Sequence, residues 1–574
     1  MIKVRKSWTA MILVVAGLSA AVAAGEGSSR MDQVVERIVA NERELAATLE
    51  RYQPLVETYL QSVKPDTVLG TVPVNDAYFF GRLQMPQETA AEPTRKERRK
   101  AERPRGKTLD LFDEFHSQTF KPEAFARMLV LDRGAFDREH YDFEFIRRQF
   151  LGEVRTLVFD VKPKRGKALS RTRSGRFTGR IWVEDRDYHI VRYNGIYASM
   201  LIANSHFDSW RLNMAPDLWL PAYVYTEEPE RASKQLQLTH KGQTRIWGYR
   251  LKRMDLDDDF TQVLIEAPQT RDQTDAPGQV NPIESARAWE SEAEENVLRR
   301  LERAGLLAPE GQVDGVLETV VTNLEITNSL EIQPPVRCRV LLTTPLESFT
   351  VGHTIVISRG LIDVLPDEAS LAMVLAHELG HILSGHELDT KFAFTDHVLI
   401  GDKHALEQFV FERDPAEEQQ ADARAVELLA SSPYNDDLDG AGLFLKALKA
   451  EADQLPSLIR PHFGSRIAQS GQLFRMHQIV ERAPELDPAA IEQTAALPLG
   501  GRVKLDPWTA RIELMKNNRV SLLSAREKMP FQVTPLMPYL TRYKEPTEAL
   551  GADVIREPVD PERVTSESLQ GADR

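Results

Sequence analysis

Hydrophobic and polar positions divide the chain into stretches of different period. Between residues 31 and 62, Val34, Val35, Ile38, Leu45, Leu49 and Leu55 fall on an approximate helical stripe, which predicts a helix over Met31–Ser62. From Gly152 to about Lys252 the period becomes two. Apolar runs at Val154–Val161, Phe177–Val183, Tyr188–Tyr197, Phe207–Leu212, Leu218–Tyr225 and Thr244–Leu251 are aromatic and β-branched, with Gly, Pro, Asp and Asn between them. They predict an antiparallel sheet or open barrel. Ala267–Pro282 has no period and reads as a linker. Helices are expected over Ile283–Leu307, Val313–Asn323 and Asp367–His386, and short strands over Val336–Leu342 and Thr354–Ser358. After Arg482 the pattern is broken by Pro507, Pro530, Pro535 and Pro538, and the tail from Glu545 is polar.

The length of 574 residues implies two or three domains. A net charge of -14 argues against a nucleic-acid partner. With Cys338 as the single cysteine, there is no internal disulfide framework, and any metal site must be built from His, Asp or Glu. Lys3, Arg5 and Lys6 precede an uncharged apolar run, Trp8–Val22, and Ala21-Val22-Ala23 fits a cleavage site. This reads as a secretory signal peptide over residues 1–24, so the body is expected to be exported, most simply to a bacterial periplasm. The alternative is an uncleaved membrane anchor, which needs about 20 apolar residues. The basic run Thr94–Lys107 reads as a solvated loop, with contact to an acidic membrane or partner surface as the sharper alternative.

Four of the seven tryptophans, Trp182, Trp210, Trp219 and Trp247, lie in the β-rich stretch. Runs such as GRIWVEDRDYHIVRYNG resemble the curved sheets of periplasmic lipoprotein-carrier and RseB-like domains. The aromatics either fill a sheet core, the more economical reading, or line a concave face for lipid or an apolar peptide.

The chemistry is concentrated in His377-Glu378-Leu379-Gly380-His381, an H-E-x-x-H motif in an apolar helix, with Asp367 as its N-cap. Chance produces this pattern on the order of 0.02 times in such a chain. Residues four apart share a helix face, so His377 and His381 can present two imidazoles to one ion. Glu378 then stands beside them as a base for a water on that ion, as a zinc hydrolase requires. His386 lies nine residues from His377, on the opposite side of an ideal helix, and is excluded as third ligand. Downstream, Glu418 and Asp422 share a face of another predicted helix. Glu418 is the candidate third ligand, with Glu417 as its competitor, and Asp422 can accept the outer N–H of a ligand histidine.

The stretches ISRGLIDVLPDEASLAMVLAHELGHILSGHE and EEQQADARAVELL resemble the HtpX and CAAX prenyl protease family of zinc peptidases, in particular its soluble exported branch, which includes BepA. The resemblance spans about Ile283–Gln469. It implies one zinc per chain bound by His377, His381 and Glu418, with Glu378 as base. The family also has a later His-Pro…Arg element whose His faces the catalytic centre. Here Pro461-His462-Phe463-Gly464-Ser465-Arg466 is similar, with the order reversed and the spacing shorter, which implies His462 or Arg466 as oxyanion stabiliser. Where the family carries Asn-Ala ahead of a strand, this chain reads Leu346-Glu347-Ser348-Phe349, so substrate-strand recognition does not carry over directly.

The expected fold is α+β. A leading helix and an antiparallel β-rich domain occupy residues 25–266, and a linker 267–282. A mainly helical zincin-like metallopeptidase domain with a small edge sheet follows at 283–480, then an extension at 481–574. The expected activity is zinc-dependent cleavage of envelope or misfolded proteins. Substrate would add as a strand along Thr354–Ser358, and Leu388–Pro415 would act as a lid. The competing class is a periplasmic chaperone or carrier with a structural metal. Peripheral contact with the envelope or outer membrane is compatible with either, and neither oligomeric state nor substrate can be read from the chain.

Overall fold

The structure, a computed structural model, describes residues 30–67, 70–82, 128–131, 135–164, 176–198, 206–228, 239–249, 282–386, 411–469, 471–487, 503–505, 512–514, 531, 533, 535 and 537–543. The signal-peptide segment, the basic run, the linker and most of the expected lid lie outside the described residues.

Helix α1 spans residues 30–49. It is shorter than its apolar stripe suggests, because Pro54 is followed by LVETYLQSVKPD, which forms strand β1 (Leu55–Asp66). The remaining strands of the large sheet are β2 (Gly70–Arg82), β3 (Tyr141–Leu151), β4 (Val154–Pro163), β5 (Arg176–Glu184), β6 (Ile190–Ala198), β7 (His206–Ala215), β8 (Leu218–Glu228) and β9 (Thr239–Trp247). All nine pair antiparallel in the order β2-β1-β9-β8-β7-β6-β5-β4-β3. Three strands escaped the period-two reading. In β3 the cause is physical: as an edge strand it is largely exposed, and Arg147 and Arg148 interrupt its apolar positions.

Alternation assigns side chains to two faces. Trp182, Trp210, Trp219 and Tyr223 face the helical region, whereas Phe177, Ile181, Phe207, Leu220 and Val224 face α1 and residues 128–131. Apolar residues therefore occupy both faces, and these aromatics act as packing. Glu42 of α1 and Arg211 of β7, both buried, form a bidentate ion pair at 2.7 Å that pins the helix to the sheet.

The helical region holds α2 (Pro282–Arg303), α3 (Gln312–Thr327), α4 (Arg359–Val364), α5 (Glu368–Leu383), α6 (Pro415–Ala430) and α7 (Leu438–Glu451). Its small sheet consists of β10 (Arg337–Leu341), β11 (Ser348–Val351) and β12 (Thr354–Ser358). The order is β10-β12-β11, with β12 parallel to β10 and antiparallel to β11. This corrects the expectation for Thr354–Ser358: β12 is the central strand, so both of its hydrogen-bonding edges are taken. The edge next to the ligand helices is β11.

The two regions are joined by polar contacts as well as by the shared core. Asp76 of β2 accepts from the backbone amides of Ser457 and Leu458 at 2.8 Å each. Glu57 of β1 accepts from the Thr344 amide, in the loop that leads into β11. Leu540, from the C-terminal stretch, is fully buried, and its carbonyl accepts from the Glu153 amide at 2.8 Å. Among the described residues no helix is long and apolar enough to cross a membrane.

Candidate metal centre

Helix α5 begins as its sequence dictates, with the Asp367 side chain accepting from the Ser370 amide at 2.8 Å. It is buried from Ala369 to His381. Helix α6 starts at an Asp414 N-cap followed by Pro415, which places Glu418 near its first turn. The two helices approach closely through small residues. A Cβ on Gly380 would lie 2.6 Å from the Ala421 carbonyl oxygen, so only glycine permits this spacing. The approach carries Glu418 to the histidines.

Ligand atoms of His377, His381 and Glu418 all lie within 4.8 Å of one another, and all three residues are buried. His377 Nε2 is 3.2 Å from His381 Nε2 and 3.1 Å from Glu418 Oε2, while His381 Nε2 is 3.8 Å from Glu418 Oε1. Ligands at zinc's bond lengths in a tetrahedron stand about 3.3 Å apart. Glu417, the competitor, is half-buried and outside the cluster.

The outer nitrogens explain why these groups fit a cation. Asp422 Oδ1 lies 2.8 Å from His377 Nδ1 and, as a carboxylate oxygen, accepts its proton. His386 donates from Nε2 to Gln420 Oε1 at 3.1 Å, which leaves its Nδ1 to accept from His381 Nδ1 at 2.8 Å. Both imidazoles thus spend their N–H outward and turn lone pairs inward. Glu418 Oε2 is buried and lies 3.1 Å from His377 Nε2 and 2.9 Å from Arg475 Nε. Two imidazole nitrogens and a carboxylate that converge on one point are a donor set for a divalent cation.

Electrostatics agree. Burial opposes a charge on His377, and Arg475 repels it, yet Asp422, Glu418 and Glu378 prevail and raise its pKa. Burial and then the neighbouring His377 push His381 down to about 2. Burial works to raise the Glu418 carboxyl, but Arg475 and His377 hold it well below the usual carboxylate range. The surrounding carboxylates favour positive charge on His377, whereas burial and the neighbouring cations oppose it on His381.

Asp422 sits as its helical spacing suggests, and its Oδ2 also accepts from the Met476 amide at 2.6 Å. His386, set aside as a ligand, is instead the outer partner of His381. Helix α5 ends at Leu383, and Gly385 turns the chain at φ +67°, so helical spacing does not apply to His386. Replacing His386 with alanine is expected to lower zinc affinity about 10–100-fold, measured by competition with a chromogenic chelator. Wild-type affinity would remove His386 from the centre.

The described ring contacts of His462 are with Tyr78, Phe80 and Phe463. Its amide, with those of Phe463 and Gly464, donates to fully buried Glu347. Burial raises the Glu347 carboxyl, partly offset by these amides. A cation in direct contact with the centre is Arg475, which sequence reasoning missed. Its Nη1 lies 3.0 Å from Glu378 Oε1, and Ser348 Oγ donates to the same oxygen at 2.7 Å. Glu347 and Ser348, where the sequence departs from the family pattern, therefore hold the 462–464 turn and the Glu378 carboxylate.

Strand β11 is wholly buried. Phe411 stacks on Phe349 at 4.4 Å, Arg413 donates to Thr350 at 3.2 Å, and Gly464 packs against the Ser348 carbonyl. Beside His377 lies a cavity of about 20 Å³, lined by Ser348, Arg475, Met373, Phe444 and Ile467 among others.

No curated protein matches the chain. Residues 312–400, which run from α3 through both histidines but stop short of Glu418, match the family model described as Peptidase family M48. Together with a third ligand delivered by α6, this match identifies a peptidase M48 family domain with a buried His-His-Glu site for a metal, the arrangement of a zinc metalloendopeptidase.

Proposed function

We propose that the chain is an exported zinc endopeptidase that cleaves misfolded or envelope proteins in a bacterial periplasm, akin to the BepA-containing branch of its family. The carrying observation is Glu378, a base beside a cluster of three ligands. A structural zinc closes with four protein ligands and has no use for a base, whereas a catalytic one keeps a position open. Among the described residues, three ligating side chains converge.

His377, His381 and Glu418 would hold the ion. Bound zinc supplies a Lewis acid that acidifies water and polarises the scissile carbonyl. Every described contact of Glu378 falls on Oε1, from Ser348 and Arg475, which leaves Oε2 to take a proton from water and return it to the leaving amine. An extended substrate would add to the outer edge of β11, displacing the residues near 411–413 and 462–465 that lie against it. Unfolded chains present such segments, which supports a role in protein quality control. Export rests on the basic start, the apolar run and the Ala21-Val22-Ala23 site.

The test is digestion of casein by the purified full chain. Cleavage is expected to stop with a chelator and return with stoichiometric zinc. Intact casein after zinc loading rejects the endopeptidase reading. An N-terminus at Met1 in protein recovered from the exporting host rejects a cleaved leader.

A further inference from the structure

We propose that Arg475 is a positioning residue that holds the base Glu378 and the ligand Glu418 in one fixed arrangement, so that ion affinity and proton transfer are set together. The inference rests on the zinc-peptidase reading and names a residue outside the H-E-x-x-H motif, the third-ligand helix and the Pro-His…Arg element.

The Arg475 side chain is 5% exposed, and its planar fork meets two carboxylates at once. Nη1 binds Glu378 Oε1 at 3.0 Å, Nε lies 2.9 Å from Glu418 Oε2, and Nη2 is 3.4 Å from Glu418 Oε1. Left alone, two buried carboxylates on facing helices would repel, and each would rotate toward any available donor. The guanidinium removes both freedoms. With Ser348 it occupies Oε1 of Glu378, which fixes the plane of that carboxylate and presents Oε2.

Arg475 is itself held from behind. The next residue, Met476, adopts the left-handed backbone at φ 61°, which a side chain this size takes only when its surroundings impose it. Its amide is bound by Asp422, the partner of His377. The contacts form a closed circuit from His377 through Asp422, Met476, Arg475 and Glu418 back to His377. A residue that served only to staple the fold would have no reason to engage the base, the carboxylate ligand and, through its neighbour, a histidine ligand together.

The test compares full-length wild type with Arg475→Ala, Arg475→Lys and Ser348→Ala. Zinc dissociation constants come from competition with a chromogenic chelator, and kcat and KM from a fluorogenic casein. Arg475→Ala should lower zinc affinity about 10–100-fold and, at saturating zinc, lower kcat at least about tenfold with KM nearly unchanged. Arg475→Lys should recover most of the zinc affinity but little of kcat, since one ammonium cannot fork two carboxylates. Ser348→Ala should lower kcat while leaving zinc affinity intact. A folded Arg475→Ala with wild-type zinc affinity and kcat overturns the proposal. If that variant does not fold, wild-type values of both quantities in Arg475→Lys overturn it instead. Should the wild type bind zinc yet cleave nothing, the endopeptidase reading fails, and the affinity series alone decides the role of Arg475.

Discussion

Glu378→Gln is expected to keep zinc and lose proteolysis, with kcat/KM down by about 10²–10⁴-fold, the usual worth of a positioned general base. The structure makes this substitution unusually clean. Glu378 is 1% exposed, and both described donors to it, Ser348 Oγ and Arg475 Nη1, address Oε1. A glutamine carbonyl can accept the same two bonds, and its amide then stands where Oε2 was. That group cannot take a proton from water. The ligands are untouched, so zinc content by atomic absorption should match wild type. Casein digestion at the native rate would show that the base lies elsewhere.

Glu418→Ala is expected to empty the centre and also to weaken the fold. The substitution removes the carboxylate ligand, and two neutral imidazoles hold a divalent ion poorly. It also strips Arg475 of its two contacts on Glu418 while leaving the guanidinium buried beside Glu378 alone. Glu378 still balances the guanidinium, so the cost is that of the lost charge-assisted contacts, about 1.5–3 kcal/mol. Atomic absorption and the urea midpoint report the two effects separately. Unchanged zinc would remove Glu418 from the site, whatever happens to the midpoint.

Legibility followed the range of the interactions. The strands in residues 154–247 and helices α2, α3, α5 and α6 announced themselves by period, because buried faces recur at fixed local spacing, whereas α4 and α7 did not. Strand β1 did not, since its Leu55 extended the apolar stripe of α1 across Pro54. Strand β11 was hidden for another reason. Its four residues are too few to show alternation, and they are identifiable as an edge only once β12 is seen paired on both sides. His386 stays outside the ligand cluster as expected, but its contact with His381 was hidden because the helix stops at Leu383 and Gly385 turns the chain.

His377, Glu378 and His381 were determined by sequence alone, since one helical turn and an apolar helix face suffice to set two imidazoles side by side with a carboxylate next to them. Glu418 and Asp422 were chosen over Glu417 by the same periodicity, and the close contact of Gly380 with Ala421 is what seats them beside the histidines. Tertiary structure alone decided that Arg475 grips Glu378 and Glu418, that Ser348 shares Glu378, and that β11 is the edge strand. Those contacts join residues 30 to 97 positions apart, and no local spacing encodes which distant side chains a folded core will bring together.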